Sequence, residues 1–268
     1  MSQHRQPEYH PVTPERHASR WWHAPSSYSW AARDTAVPLA GSELARAALH
    51  LPIAFMRDGE SLMPFAIVGL ESGINLFVAH DGTWTAGYVP AALRSRPFAL
   101  LPLQDGRKVL CIDEEAGRMS GEQGTSGHPF LSDGGKLSPL LQQCLDFLSA
   151  VEESRQSTRK ACFALESYGV LVAWDIELKT ATGMRRLEGL FRADEAKLNA
   201  LPDEAFLDLR RAHAIPLAYA QLLSMQHIQV LGHRASARLQ ALQQPMTPVT
   251  ASGDLDLSFL ERGDTLKF

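Results

Sequence analysis

The spacing of apolar and polar positions changes along the chain, and each change marks an expected element. Around Ser42 to His50, Leu44, Ala45, Ala48 and Leu49 recur at helical spacing, with Ser42 placed to cap the segment and Pro52 to end it. From there to about Asp113 the pattern shortens to strand-like runs: IAF, PFAIVGL, INLFVAH, TWTAGYV, FALLPL and KVLCID. Turn residues separate them at Arg57-Asp58-Gly59, Glu71-Ser72-Gly73, Asp81-Gly82 and Asp105-Gly106. Short strands joined by tight turns predict a curled, partly closed antiparallel sheet or a small barrel.

After a Gly-rich connection, Gly121 to Pro139, the period lengthens. Leu141, Leu145, Leu148 and Val151 form a helical stripe that opens with Ser138 as cap and Pro139 in the first turn. A second helix is predicted from Thr158 to Tyr168, ended by Gly169. VLVAWDIEL alternates cleanly, and KTATG leads into MRRLEGLFR, so a second hairpin is expected. DEAKLNAL and PDEAFLDLRRAH read as short capped helices, and Pro216 to Leu231 as a longer apolar one. The predicted fold class is α+β, with helices and the second hairpin packed on the first sheet. The expected organisation is an arm over 1–25, one domain over 26–233 (β-rich over 51–120, α-rich over 136–233) and a tail over 234–268. Trp21 and Trp22 at the end of the arm are expected to pack on the body. The tail closes in DLDLSFLERGDTLKF, acidic and apolar in alternation, a pattern that suits docking on this chain or another.

Composition narrows the function. Of 268 residues, 45% are hydrophobic and 21% charged, as in soluble globular proteins, and the net charge is -4. That balance disfavours nucleic acid, whose phosphates demand a basic surface. Cys111, Cys144 and Cys162 lack paired spacing and read as small buried hydrophobes in a reducing compartment. The N-terminal MSQHRQPEYHPVTPERH lacks the apolar stretch of a secretory signal, and no apolar run is long enough to span a bilayer. The expected location is the cytoplasm.

Catalytic signatures are absent from the sequence: no HExxH, CxxC, GxSxG or GxGxxG, and no phosphate-loop ending in the Gly-rich connection. No metal or cofactor is expected. Acidic runs at Asp113-Glu114-Glu115 and Glu152-Glu153 read as solvated charge at element ends. The stretch from Leu76 to Phe98 is richest in reactive residue types. There Asp81-Gly82 predicts a two-residue turn that sets Ala79 and His80 against Thr83 and Trp84. His80 and Asp81, neighbours on a strand, would point to opposite faces and could not share one ion. Tyr88 falls on the face of Trp84, and the corner after Pro90 carries Arg94 and Arg96. One reading is a half-buried aromatic ladder with a solvated basic corner. The other is an anion-binding lip of Arg94 and Arg96 beside Trp84, Tyr88 and His80.

Several blocks carry a family resemblance: VTPERH (12–17), LPIAF (51–55), GINLFVAHDGTWTAGYVPAALRSRPF (73–98), VLCIDE (109–114), GLFRADEAKLNAL (189–201), IPLAYAQLLSM (215–225) and DTLKF (264–268). Through them the chain resembles the SapC family of bacterial proteins. It departs from the family pattern at Ser95, where consecutive arginines are usual, and at Ala193, where an aliphatic residue often stands. The resemblance implies association with bacterial surface-layer proteins. It also implies genomic proximity to halogenase-like and cupin-like proteins and TonB-dependent receptors. It supplies no catalytic residues. The expected function is a non-catalytic accessory or binding protein with a protein or peptide partner, in a surface-layer, transport or peptide-modifying, halogenase-linked system. The alternative is an enzyme acting on an anionic small molecule or peptide, with a pocket of His80, Trp84, Tyr88, Arg94 and Arg96, joined by Asp113. A third option is a structural subunit of an assembly.

Overall fold

The computed structural model describes residues 7–120, 127–180 and 183–243. Two open antiparallel sheets, with two separate two-stranded pairs beside them, form the β structure of the described residues. The larger has five strands in the order Ala36–Pro38, Ser61–Ile67, Ile53–Asp58, Phe191–Ala193, Leu171–Ala173. The smaller has three: Tyr9–Pro11, Lys108–Asp113, Phe98–Pro102. The fold is α+β as expected, but neither sheet closes into a barrel. The reason lies between Ile67 and Phe98, where INLFVAH and TWTAGYV make a single bridge, Val78 to Trp84, instead of a ladder. The meander therefore breaks into two sheets.

Residues read as an N-terminal arm are part of the second sheet. Tyr9, His10 and Pro11 pair with Asp113, Ile112 and Cys111. Trp21–Trp22 pairs with His128–Pro129, and Trp22 is buried edge-on against Phe98 at 4.8 Å.

The two predicted helices over 138–168 are one helix, Pro139–Ser167, because nothing in Arg155-Gln156-Ser157 interrupts it. At 29 residues it runs about 43 Å at ~1.5 Å per residue. Ser138 caps it by accepting from the Leu141 amide, and Gly169 follows with a positive φ of 67°. Its first half buries Leu141 and Leu148 in a cluster with Trp22, Phe98, Ile112 and Phe130. Its second half buries Ala161, Cys162 and Leu165 in the main cluster, with Phe55, Phe77 and Leu217. The helix is thus the spine joining two cores.

The segment at 42–50 is shorter than predicted: a 3₁₀ turn, Gly41–Glu43, then Leu44–Ala47. Ser42 does not cap it. Instead the Gly41 and Ser42 amides donate across to Thr158 Oγ1 (2.7 Å) and Ser154 Oγ (3.0 Å) on the spine.

VLVAWDIEL splits at Trp174-Asp175. Leu171–Ala173 joins the large sheet, whereas Ile176–Thr180 pairs with Gly183–Leu187 as a separate hairpin. That hairpin buries Ile176 and Leu178 and lies against the last helix, Ile228–Gln243. The helix runs through Gly232, past Leu231 where the apolar helix was expected to end, and on into the expected tail over 234–268. A Cβ at Gly232 would lie 3.2 Å from the Lys179 carbonyl oxygen, so glycine here permits close packing and does not end the helix. The expected docking segment DLDLSFLERGDTLKF lies outside the described residues, as do Gly121–Ser126 of the Gly-rich connection.

Where Phe191–Ala193 meets Ile53–Asp58 the ladder holds a single residue pair, Phe191 with Phe55. The buried amide of Gln221 completes it. Its Oε1 accepts from the Ala193 amide (2.9 Å) and its Nε2 donates to the Ile53 carbonyl (3.1 Å). Ser224 Oγ accepts from the Ile53 amide at 3.0 Å.

Candidate functional site

The turn at 79–83 differs from the predicted one by a residue. The Ala79 amide donates to the Thr83 carbonyl and the Gly82 amide to the Ala79 carbonyl, which leaves a three-residue loop, His80-Asp81-Gly82. Gly82 takes a φ of 84°, as the last position of such a loop requires. A Cβ there would also collide with Ser29 Oγ at 2.3 Å. Asp81 Oδ1 accepts from the Thr83 amide, and this holds its carboxyl below the usual range. The slip places Trp84 opposite Val78 and leaves His80 at the exposed tip.

Trp84 points inward, 8% exposed and stacked on Phe77 at 5.8 Å. Its Nε1 donates to the Tyr88 carbonyl (2.8 Å), so the aromatic pair is joined through the backbone. Tyr88 turns its hydroxyl onto Glu43, donating to Oε2 at 2.8 Å. Burial first, and then the Glu43 carboxylate, push the Tyr88 phenol up to about 12. Glu43 is 6% exposed and accepts two further bonds, from the amides of Ala40 (2.8 Å) and Ala91 (2.7 Å). A buried carboxylate is tolerable when several donors replace its water shell.

The two arginines do not form a common lip. Arg94 is exposed, donates from Nε to the Val89 carbonyl, and lies over the rings of Phe147 (5.0 Å) and Tyr88 (5.7 Å). Arg96 is half-buried over Trp30 at 4.2 Å, with Asp113 Oδ2 3.6 Å away. Of the residues singled out, Trp84, Tyr88 and Arg94 form one cluster, Arg96 and Asp113 another, and His80 stands apart. Beside Glu43 and Ala91 lies a cavity of about 190 Å³ that also meets Glu152 and Arg155 of the spine. It is smaller than the ~300 Å³ at which ligand pockets begin. Its charges are paired: Glu152 with Lys108, and Arg155 with Asp58.

Sequence reasoning missed a second polar cluster. Glu114, read as solvated charge, receives Arg16 and Arg20 from the N-terminal segment. Arg16 above all holds its carboxyl below the usual range. His17 between them is fully buried against Phe130, and its Nδ1 lies 3.2 Å from both the amide nitrogen and the carbonyl oxygen of Thr13. Its Nε2 lies 3.3 Å from Glu114 Oε1 without hydrogen-bond alignment, and burial lowers its pKa. The spacing Arg16-His17-Arg20 was the available signal, but the acid it meets lies far along the chain.

Cys111, Cys144 and Cys162 are free thiols, and burial raises the pKa of all three, Cys162 to about 12. Thiols so disfavoured as thiolates are poor nucleophiles. Among the described residues no group of three His, Cys, Asp or Glu side chains is placed to hold a metal ion, and no helix is long and apolar enough to cross a membrane.

The architecture is thus an α+β body whose most polar hairpin is clamped from within by a buried glutamate. A family model described as SapC matches residues 12–231, and the chain belongs to the SapC family. No curated protein and no solved structure matches it.

Proposed function

We propose that this SapC-family protein is a non-catalytic accessory protein. It binds a protein or peptide partner and works in the cytoplasm with a bacterial surface-layer, transport or peptide-modifying system. One observation carries the reading: the side chains that looked most reactive serve the protein's own frame. Trp84, Tyr88 and Glu43 form a continuous chain of internal bonds, and Arg94 is held against Val89 and two aromatic rings. A rigid corner of this kind suits presentation of a surface better than turnover. The acidic balance of the chain favours a polypeptide partner over nucleic acid.

The enzyme alternative keeps one support, the exposed Arg94 guanidinium, which could receive a carboxylate or phosphate. Two measurements separate the readings. The tagged full chain is recovered from its native cell after mild cross-linking, and the enriched protein is purified and titrated against it. A reproducible complex with a Kd in the micromolar range or tighter supports the accessory reading. Absence of any enriched protein, together with consumption of an anionic metabolite that Arg94→Ala abolishes, overturns it.

A further inference from the structure

The nine-residue helix Asp203–Arg211 buries one side, through Ala205 and Leu209, and packs against Pro139–Ser167 and Ala214–Ser224. Its other side is exposed. There Phe206 (36%) and Leu207 (41%) stand between two acids at the start, Asp203 and Glu204, and two bases at the end, Arg210 and Arg211. That order of charge suits the helix's own dipole. The dipole does not account for two large apolar side chains between the charges. Nor does it account for the hollow of about 430 Å³ beside them, lined by Asn199, Leu201, Asp203, Phe206 and Leu207. Among the described residues the side chains of Asp203, Glu204 and Arg210 take no partner. Arg211 has only the exposed Asp208 at 3.1 Å, a surface pair of little worth, and Asp208 also accepts from the Tyr168 hydroxyl.

Leu207 is the middle residue of the nine. Residues seven apart on a helix lie two turns apart on the same side. Asp203 and Arg210 therefore share one side of Leu207, together with Phe206, and Glu204 and Arg211 share the other. A two-fold rotation that sets a second copy antiparallel, Leu207 against Leu207, keeps these sides and reverses the ends. It brings Asp203 to Arg210 of the second copy and Glu204 to Arg211 of the second copy, and the symmetry repeats both contacts. All four pair opposite charges. A parallel arrangement would set acid on acid and base on base, so the charge order specifies the antiparallel one.

We propose that Asp203–Arg211 is a self-recognition surface, which pairs antiparallel with the same helix of a second copy of this chain. Leu207 lies on the two-fold axis, and the aliphatic stem of Arg210 from the second copy enters the hollow beside Asp203 and Phe206. The occupant is a second copy because the face complements itself at every charged position. The helix is about 13 Å long at ~1.5 Å per residue, so the contact falls short of the ~1,200 Å² of a standard stable interface. The dimer is therefore weak and exchanges readily. This inference goes beyond the accessory reading and does not rest on it.

The test is sedimentation velocity of the full chain across protein concentration, at low and at high salt. The proposal expects a monomer–dimer equilibrium with a Kd between about 10 μM and 1 mM that weakens with salt. Asp203→Arg/Glu204→Arg makes the face wholly basic, and Arg210→Glu/Arg211→Glu makes it wholly acidic. Each variant alone should dimerise at least about tenfold more weakly than the parent. Mixed in equal amounts they regain all four pairs and should form a mixed dimer as tight as the parent's, which also shows that both are folded. Asp203→Asn/Glu204→Gln keeps the helix and removes the acids, so it decides the question should a reversal unfold the helix. Its dimer must be weaker and no longer sensitive to salt, and an unchanged dimer overturns the proposal. A parent that stays monomeric up to about 1 mM also overturns it. So do charge reversals that leave the dimer intact, and folded variants that lose their own dimers without forming the mixed one.

Discussion

The hydroxyl of Tyr88 donates to the buried Glu43 carboxylate at 2.8 Å, joining the hairpin of the first half to the short helix before it. The same carboxylate oxygen accepts from the Ala91 amide, so one side chain fixes both the strand end and the corner that follows.

Removing Glu43 leaves three buried donors without an acceptor. Glu43→Ala is expected to lower the unfolding free energy by about 3 kcal/mol, and Tyr88→Phe, which removes one donor to Glu43 and the acceptor of the exposed Arg94 Nη2, by about 1 kcal/mol. Urea denaturation measures both. Equal losses in the two variants would show that the carboxylate serves Tyr88 alone.

Tyr88 also sets a limit at alkaline pH. Its folded pKa, about 12, exceeds the ordinary 10.0, so the folded protein keeps a proton that the unfolded chain releases. Its contribution is complete below pH 10 and is lost as pH rises toward 12. The decline in stability across that window should be shallower in Tyr88→Phe, and this variant should lose one late-titrating ring from the tyrosinate absorbance, leaving that of Tyr168, which its bond to Asp208 also raises.

His17 works at the opposite end of the scale. Burial lowers its pKa below 6.5, so the fold favours the neutral ring despite Glu114, whose carboxylate also receives Arg16 and Arg20. Stability from this group is complete above pH 6.5 and falls as acid titrates the ring. An imidazole NMR titration should place His17 below the ordinary value. A midpoint at or above it would mean that Glu114 outweighs burial.

Gly41 marks where the first half meets the spine. A Cβ there would lie 2.8 Å from Thr158 Oγ1, the atom that accepts the Gly41 amide. Gly41→Ala must therefore displace Thr158, and a loss of about 1–3 kcal/mol is expected. Thr158→Val keeps the shape, removes the acceptor, and should cost a similar amount.

Gln221→Leu is expected to strand the Ala193 amide and the Ile53 carbonyl, a loss of about 2–4 kcal/mol. The Ala193 amide should then exchange faster than its sheet neighbours, which native-state exchange reads directly.

The α+β class, most strands and the caps at Ser138 and Gly169 were legible because they rest on local periodicity and turn chemistry. What failed was non-local. Trp84 and Tyr88 alternate like strand residues, yet their segment pairs at one bridge because Trp84 is drawn under Phe77 and Tyr28. Gly232 has the look of a helix stop, but the neighbouring Lys179 carbonyl explains it. Glu43 appeared as one more polar residue on a short helix, and its burial depends on Tyr88 and Ala91, some 45 residues on. In the candidate site, residue types were readable and their separation was not. Arg94 and Arg96 are two apart, and each chose a different aromatic face.

The strand order of the large sheet has a consequence for synthesis. Its middle strand, Ile53–Asp58, is flanked on one side by a neighbour made at once and on the other by Phe191–Ala193, secured by Gln221. The open edge at Ile53 and Phe55 must wait until the ribosome has released residues beyond Gln221. At ~5–20 residues per second that wait is roughly 10 to 40 s. For that interval the nascent chain presents an apolar strand without its partner, so this protein should depend on chaperones that hold emerging chains more than its modest size suggests.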